Sequence, residues 1–184
     1  MLKKVVEYLT NLWYYFNRIE QVNGVIAMGV KNKKSLTILD IANFFRTKET
    51  MTHKKLQKLV YYAYAWYIAL NNETKDKINV RLCDKCRFEA WVHGPVSPLL
   101  YGRFSDNFGV VEKYTGELNE LITGETKKFL ESIYKIFGKF TGDELEVMTH
   151  SEMPWQNARD TLAPYEPSNK EILESDMFIY YNSL

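Results

Sequence analysis

Apolar residues recur at spacings of three and four over the first nineteen positions: Leu2, Val5, Val6, Leu9, Leu12, Trp13, Phe16 and Ile19. Lys3, Lys4, Glu7, Asn11 and Arg18 fall off that line. The pattern predicts an amphipathic helix of about five turns. Its stripe, centred on Leu9, Trp13 and Phe16, suits packing on the chain's own domain or docking on a partner. Lying in a membrane interface is the third use, and the scarcity of lysines on the polar face weighs against it. Residues 20–36 then lose the periodicity. Gly24, Gly29 and the basic run Lys31, Lys33, Lys34 read as a linker.

Beyond the linker the helical period returns. A short helix is predicted over residues 38–46, with Ile38, Ile41, Ala42 and Phe45 inward. Thr52 is an N-cap for the strongest helix, 53–71, whose wide stripe runs from Leu56 and Leu59 through Tyr64 and Trp66 to Leu70. Such a stripe predicts a central helix. Residues 71–78 are polar and loop-like. Asn79–Leu82 and Arg87–Val92 read as a small antiparallel hairpin turning at Asp84 and Lys85. Ser97 followed by Pro98 starts a helix to about 106. Residues 107–121 are irregular, and an amphipathic helix over 123–138 ends at Gly138. Capping boxes at Thr141-Gly-Asp-Glu and Ser168-Asn-Lys-Glu predict helices to about Thr149 and Tyr181. Pro154 opens a short one to Arg159. The expected fold is mainly α, a compact multi-helix domain with one small antiparallel β-hairpin and an N-terminal amphipathic helix. Residues 1–35 form an extension and residues 36–184 the domain.

Composition adds exclusions. The chain has 184 residues, 46% of them hydrophobic, enough for a sizeable core. Lys and Arg number 24 and Asp and Glu 23, a net charge of +1 that argues against a nucleic-acid partner. Aromatic residues make up 15%, which favours a ring-rich core or a sticky protein surface. Glu7, Asn11, Asn17 and Arg18 interrupt the N-terminal apolar pattern, so neither a signal peptide nor a membrane span is expected. The cytoplasm is the expected compartment.

Candidate chemistry is sparse. Cys83-x-x-Cys86 is half of a zinc site with no second pair, and reads as two ordinary thiols. No cofactor and no metal site is expected. His53, His93 and His150, with Glu152, are the residues a metal-dependent hydrolase would use. They come without a nucleophile elbow, a phosphate loop or HExxH spacing, so structural roles are expected for each. Two clusters are unusual. One places Trp91, His93, Gly94, Pro95 and Pro98 within eight positions, with Tyr101 following. The other is Thr149-His150-Ser151-Glu152-Met153-Pro154-Trp155, a helix-to-helix corner or a polar patch ringed by Trp. His93-Gly94-Pro95 is expected to turn the chain from the hairpin into the Ser97-capped helix. That would bring Trp91 and Tyr101 toward helix 53–71.

Three blocks in order, KLQKLVYYAYAWYIAL (Lys55–Leu70), FEAWVHGPVSPLLYGRF (Phe88–Phe104) and THSEMPWQNAR (Thr149–Arg159), resemble the Panacea domain. This is the SocA-like antitoxin family, also described as phage-associated GepA-like proteins. ILDIANFF (Ile38–Phe45) resembles its first helix, so the resemblance covers residue 36 onward. The matching positions are Lys55 to Leu59, Tyr61 and Tyr62; Ala90, Trp91, Gly94, Pro95, Val96 and Tyr101; and Thr149, His150, Glu152, Pro154 and Trp155. The resemblance implies a non-enzymatic helical domain that neutralises a cognate toxin by direct protein–protein binding. Its alternative is an adaptor that delivers the toxin to a ClpXP-type protease. Neither the toxin nor the oligomeric state follows from it. Partner contact is expected around Trp91, His93, Gly94, Pro95, Tyr101, Thr149, His150, Glu152, Pro154 and Trp155, with Leu9, Trp13 and Phe16 on a docking helix. Residues 1–35 depart from the minimal domain. Met28 is an alternative start, but the clean stripe favours a genuine appended helix.

Overall fold

The computed structural model describes residues 35–84, 86–106 and 109–184. The expected N-terminal helix, with Leu9, Trp13 and Phe16, lies outside them. Seven helices and four short strands are present among the described residues: α1 (Ile38–Arg46), β1 (Met51–Thr52), α2 (His53–Asn71), β2 (Glu89–Trp91), β3 (Gly94–Val96), α3 (Pro98–Phe104), β4 (Val110–Val111), α4 (Gly124–Phe137), α5 (Gly142–His150), α6 (Met153–Arg159) and α7 (Glu174–Asn182). β1 pairs with β4 and β2 with β3, both antiparallel.

Local chemistry sets the helix starts. Thr37 and Thr141 each form a reciprocal capping box, with Asp40 and Glu144 respectively. The Thr52 side chain accepts from the Lys55 N–H and opens α2 where the sequence places it. α2 then goes beyond an amphipathic stripe. Fourteen of its residues, from His53 to Ala69, are buried, so the helix is an axle wrapped by the others. Aromatic rings fill the space around it. Tyr62 stacks on Phe137 with centroids 4.0 Å apart, Trp66 meets Tyr181 at 5.0 Å, and Phe88 sits against Tyr61 and Tyr64.

Several expectations are corrected. The hairpin is shifted: Glu89–Trp91 pairs with Gly94–Val96 around Val92 and His93, in the register Ala90↔Pro95 and Trp91↔Gly94. Gly94-Pro95 is therefore strand, and the turn lies one step earlier. Residues 79 and 80 are held instead by the Asn72 carboxamide, which accepts from both N–H groups and donates to the Val80 carbonyl. The second capping box does not form. The Ala90 N–H donates to the Lys170 carbonyl and the Ile172 N–H to the Phe88 carbonyl, both at 2.8 Å. Residues 170–172 thus lie along β2, and α7 begins after Leu173. This arrangement buries Ile172, which a helix starting at Ser168 would not seat there. Val110–Val111, expected to be irregular, is a strand. Cys83 and Cys86, expected as free thiols, are joined in a disulfide.

Candidate functional site

The three sequence blocks converge where the first turns of α2 meet the β2–β3 hairpin and the α5–α6 corner. Gln57 joins two of them. Its side-chain oxygen accepts from the Ser97 N–H at 2.8 Å, and its nitrogen donates to the Ser97 carbonyl at 3.2 Å. This pair fixes the start of α3, where the Ser97 side chain itself makes no capping bond. The same Gln57 nitrogen lies 3.0 Å from His53 Nε2. An amide NH₂ only donates, so His53 Nε2 is an acceptor and the ring is neutral there. Burial lowers its pKa in the same sense.

Lys58, one residue on, is 1% exposed. Its Nζ donates to the Pro95 carbonyl at 3.1 Å. Burial drives its pKa down to about 7. Gly94, at φ +90°, lets the hairpin close over it: a Cβ there would stand 2.8 Å from both Lys58 Cε and Thr149 Oγ1. A cavity of about 490 Å³ opens beside this lysine, walled by His53, Gln57, His93, Val96 and Tyr101. Tyr101 packs between His53 and Trp91, with centroids at 5.3 and 4.8 Å, and is exposed on its outer side.

Glu146 organises the adjoining charges. It binds Lys54 Nζ at 2.6 Å and His93 Nδ1 at 3.0 Å, and His150 Nε2 lies 4.0 Å away. Burial alone would raise its pKa, but the Lys54 and His93 hydrogen bonds outweigh it and the net shift is downward. Lys54 also binds Asp143 at 2.8 Å. His150 stacks on Trp155 at 4.1 Å, and burial lowers its pKa. Trp155 Nε1 donates to the Trp91 carbonyl at 3.0 Å, which pins the corner to the hairpin.

Glu152 faces the other way. It stands at the N-cap of α6, ahead of Pro154, but its carboxylate turns into the core. There it accepts from Tyr62 at 2.9 Å and Tyr181 at 2.7 Å. Burial raises its pKa to about 7, against the lowering effect of the two phenols. The histidines therefore do not converge with Glu152. Among the described residues, no group of three His, Cys, Asp or Glu side chains could hold a metal ion.

Glu152 and Lys58 shift in opposite senses, so their effects on stability run opposite ways with pH. Glu152 keeps a proton in the folded protein that the unfolded chain releases above about 4.5. The resulting stabilisation is present at low pH and is lost as pH rises to about 7. Lys58 releases its proton near 7 in the fold but near 10.5 when unfolded, so its contribution rises with pH across that window. Urea midpoints at about pH 5, 7 and 9 check both trends. Glu152→Gln is expected to remove the acid-side decline, worth roughly 3 kcal/mol at full extent, while Lys58→Met removes the alkaline-side rise.

Sequence reasoning named Trp91, His93, Gly94, Pro95, Tyr101, Thr149, His150 and Trp155, and the structure gathers all of them at this junction. It included Gln57 and Lys58 only among the positions matching the family and passed over Glu146. The signal for the first two was a pair of polar i, i+4 steps, His53–Gln57 and Lys54–Lys58, on a helix otherwise crowded with apolar residues.

A family model described as "Antitoxin SocA-like, Panacea domain" matches residues 56–156, more than half of the chain. The chain belongs to this family. No curated protein and no solved structure matches it. The Panacea match begins at Leu56 on α2 and ends at Gln156 on α6, so it spans the junction apart from His53 and Lys54 at the start of α2. Membership supports an antitoxin-type role with a toxin as partner. Among the described residues, no helix is long and apolar enough to cross a membrane.

Proposed function

We propose that this Panacea domain neutralises a cognate toxin by direct protein–protein binding, making and breaking no bonds itself. The reading rests on family membership and on one structural observation. Aromatic and apolar side chains are exposed beside the junction: Tyr101 and Leu99 on α3, and Val110 next to the cavity-lining Gly109. Rings of this kind, packed on a rigid base, are the side chains that carry binding energy at protein interfaces. The histidines support the same reading. His53 is held by Gln57, His93 by Glu146 and His150 by its stack on Trp155.

Co-expression with the product of the adjacent reading frame tests this. Rescue of growth with the toxin's level unchanged, and a stable complex of the two purified proteins, are the expected results. A Leu99→Ala/Tyr101→Ala variant is expected to bind about tenfold or more weaker. A fall in toxin level that depends on a ClpXP-type protease would replace inhibition by delivery. A neighbour that is harmless and does not bind would sink the reading.

A further inference from the structure

Single exposed rings are common on protein surfaces and by themselves mean little. Tyr165 differs in what lies beneath it. It is 82% exposed, the highest value among the described large apolar and aromatic side chains. Among the described residues its ring stacks on no other ring and its hydroxyl has no hydrogen-bond partner. The backbone under it is nevertheless held firmly. The Glu166 N–H donates to the Ala163 carbonyl at 3.0 Å, which closes the turn Ala163-Pro164-Tyr165-Glu166 with proline at its second position. The Glu166 carboxylate accepts from the Ala163 N–H at 3.3 Å. From the inner side, the buried Arg159 guanidinium donates to the carbonyls of Ala163, Pro164 and Glu166 and ties the turn to Ala90 on β2. The chain enters this loop through Asp160, whose φ of 49° and ψ of −113° a residue with a side chain keeps only where its surroundings dictate it. None of this calls for tyrosine. Beside a proline, turns favour Gly, Asn, Asp or Ser, and a ring that touches nothing adds nothing to the core.

We propose that Tyr165 is an anchor for the partner protein, its ring entering a pocket on that protein with a cation at the pocket's mouth. The proposal deepens the binding function proposed above and rests on it. A ring carried on a fixed backbone offers a large contact area for a small loss of freedom on binding. The cation answers Glu166, which is exposed next to the ring and forms no ion pair among the described residues. Pro164 and Pro167, both exposed, flank the pair with apolar surface. The anchor is separate from Tyr101. Ala90 turns its N–H to Lys170 and its carbonyl to Arg159, away from Pro95 opposite it, so the turn lies on the side of β2 away from β3. Tyr101, on the helix that follows β3, and Tyr165 therefore meet different parts of the partner.

Full-length protein is titrated calorimetrically with the purified product of the adjacent reading frame. Tyr165→Ala is expected to bind about tenfold or more weaker, with a Tm within about 2 °C of the parent because the ring packs on nothing. Tyr165→Phe is expected to stay within about threefold of the parent, since ring area carries the contact. Glu166→Gln keeps an acceptor for the Ala163 N–H and removes the charge. It is expected to bind about threefold weaker at low salt and to match the parent at about 0.5 M salt. The losses from Tyr165→Ala and from Leu99→Ala/Tyr101→Ala are expected to add in free energy. If the parent binds and Tyr165→Ala binds equally well, the anchor is overturned and the binding function stands. If the parent does not bind, both fall. A Tm lowered by more than about 5 °C would assign the ring to the fold and overturn the proposal. Sedimentation velocity supplies the remaining outcome: a self-associating parent and a monomeric Tyr165→Ala would give the ring to a second copy of this chain, and the proposal would fail.

Discussion

Arg159→Met is expected to destabilise the domain by about 4 kcal/mol, the largest effect of any single substitution considered for this fold. Arg159 is 2% exposed, and no carboxylate pairs with it among the described residues. Its guanidinium is satisfied by backbone instead. One terminal nitrogen donates to the Ala90 carbonyl at 3.0 Å. The other reaches the carbonyls of Ala163 and Glu166, both at 2.7 Å, and of Pro164 at 3.3 Å. The group also lies over the Trp155 ring, 5.0 Å from its centroid. One side chain thus fastens the strand that carries Trp91 to the loop that leads back alongside it. Methionine fills similar volume but leaves these carbonyls without a donor, two of them at the shortest contacts. Lysine is a poor substitute, because a single ammonium cannot present the guanidinium's fan of donors. Thermal unfolding followed by circular dichroism should show a drop in Tm on the order of 10 °C for Arg159→Met. A change of less than about 3 °C would mean that water replaces the guanidinium without cost.

Gly94→Ala is expected to cost about 3 kcal/mol, and for a different reason. Gly94 has φ +90°, a conformation that costs an L side chain about 1–2 kcal/mol. The added methyl would also stand 2.8 Å from Lys58 Cε and from Thr149 Oγ1. Lys58 has little room to yield, since it is buried with its ammonium on the neighbouring Pro95 carbonyl. Overpacking of this kind adds about 1–2 kcal/mol. The expected consequence is local as well as global: the hairpin lifts from α2 and the cavity beside Lys58 changes shape. Denaturant unfolding gives the global part. Hydrogen exchange at the Ser97 N–H, held by Gln57, gives the local part. If the urea midpoint is unchanged, the close approach of Gly94 to α2 is not a constraint on the fold.

The two substitutions act on opposite sides of one β-strand pair, and together they explain why the site sits where it does. β3 is too short to be held by its ladder alone. It is held by what lies beneath it: Gln57 on Ser97, Lys58 on Pro95, and Trp155 on the carbonyl of Trp91 across the turn. A rigid base of this sort lets Tyr101 and Trp91 present their rings without a large loss of side-chain freedom on binding. Pro95 suits this place because Ala90, opposite it, turns its own N–H to Lys170 and its carbonyl to Arg159, so the missing donor of the proline leaves no partner waiting.

The helices were legible from local signals because their causes are local. Thr52, Thr141 and the period of the α2 and α4 stripes act within a few residues, and the structure places α2 and α4 within one residue of the expected bounds. The antitoxin family was legible too, since its blocks are short and keep their order. The N-cap at Ser168 was misread because a capping box is only a competitor. The sequence Ser-Asn-Lys-Glu offers two capping hydrogen bonds, whereas lying along β2 gives two backbone bonds and a buried Ile172. The hairpin was misplaced because what seats its second strand, Lys58 on the Pro95 carbonyl and Gln57 on Ser97, lies far back in the chain on α2. What the amino-acid order settled alone was the helix inventory among the described residues, the central role of residues 53–71 and the family. Which polar groups lie inside, and toward what they point, was decided only by tertiary packing: Glu152 between two tyrosines, Arg159 among carbonyls, and Lys58 on the carbonyl of Pro95 beneath the hairpin. Burial and the supply of partners are properties of the assembled surroundings, and no local pattern carries them.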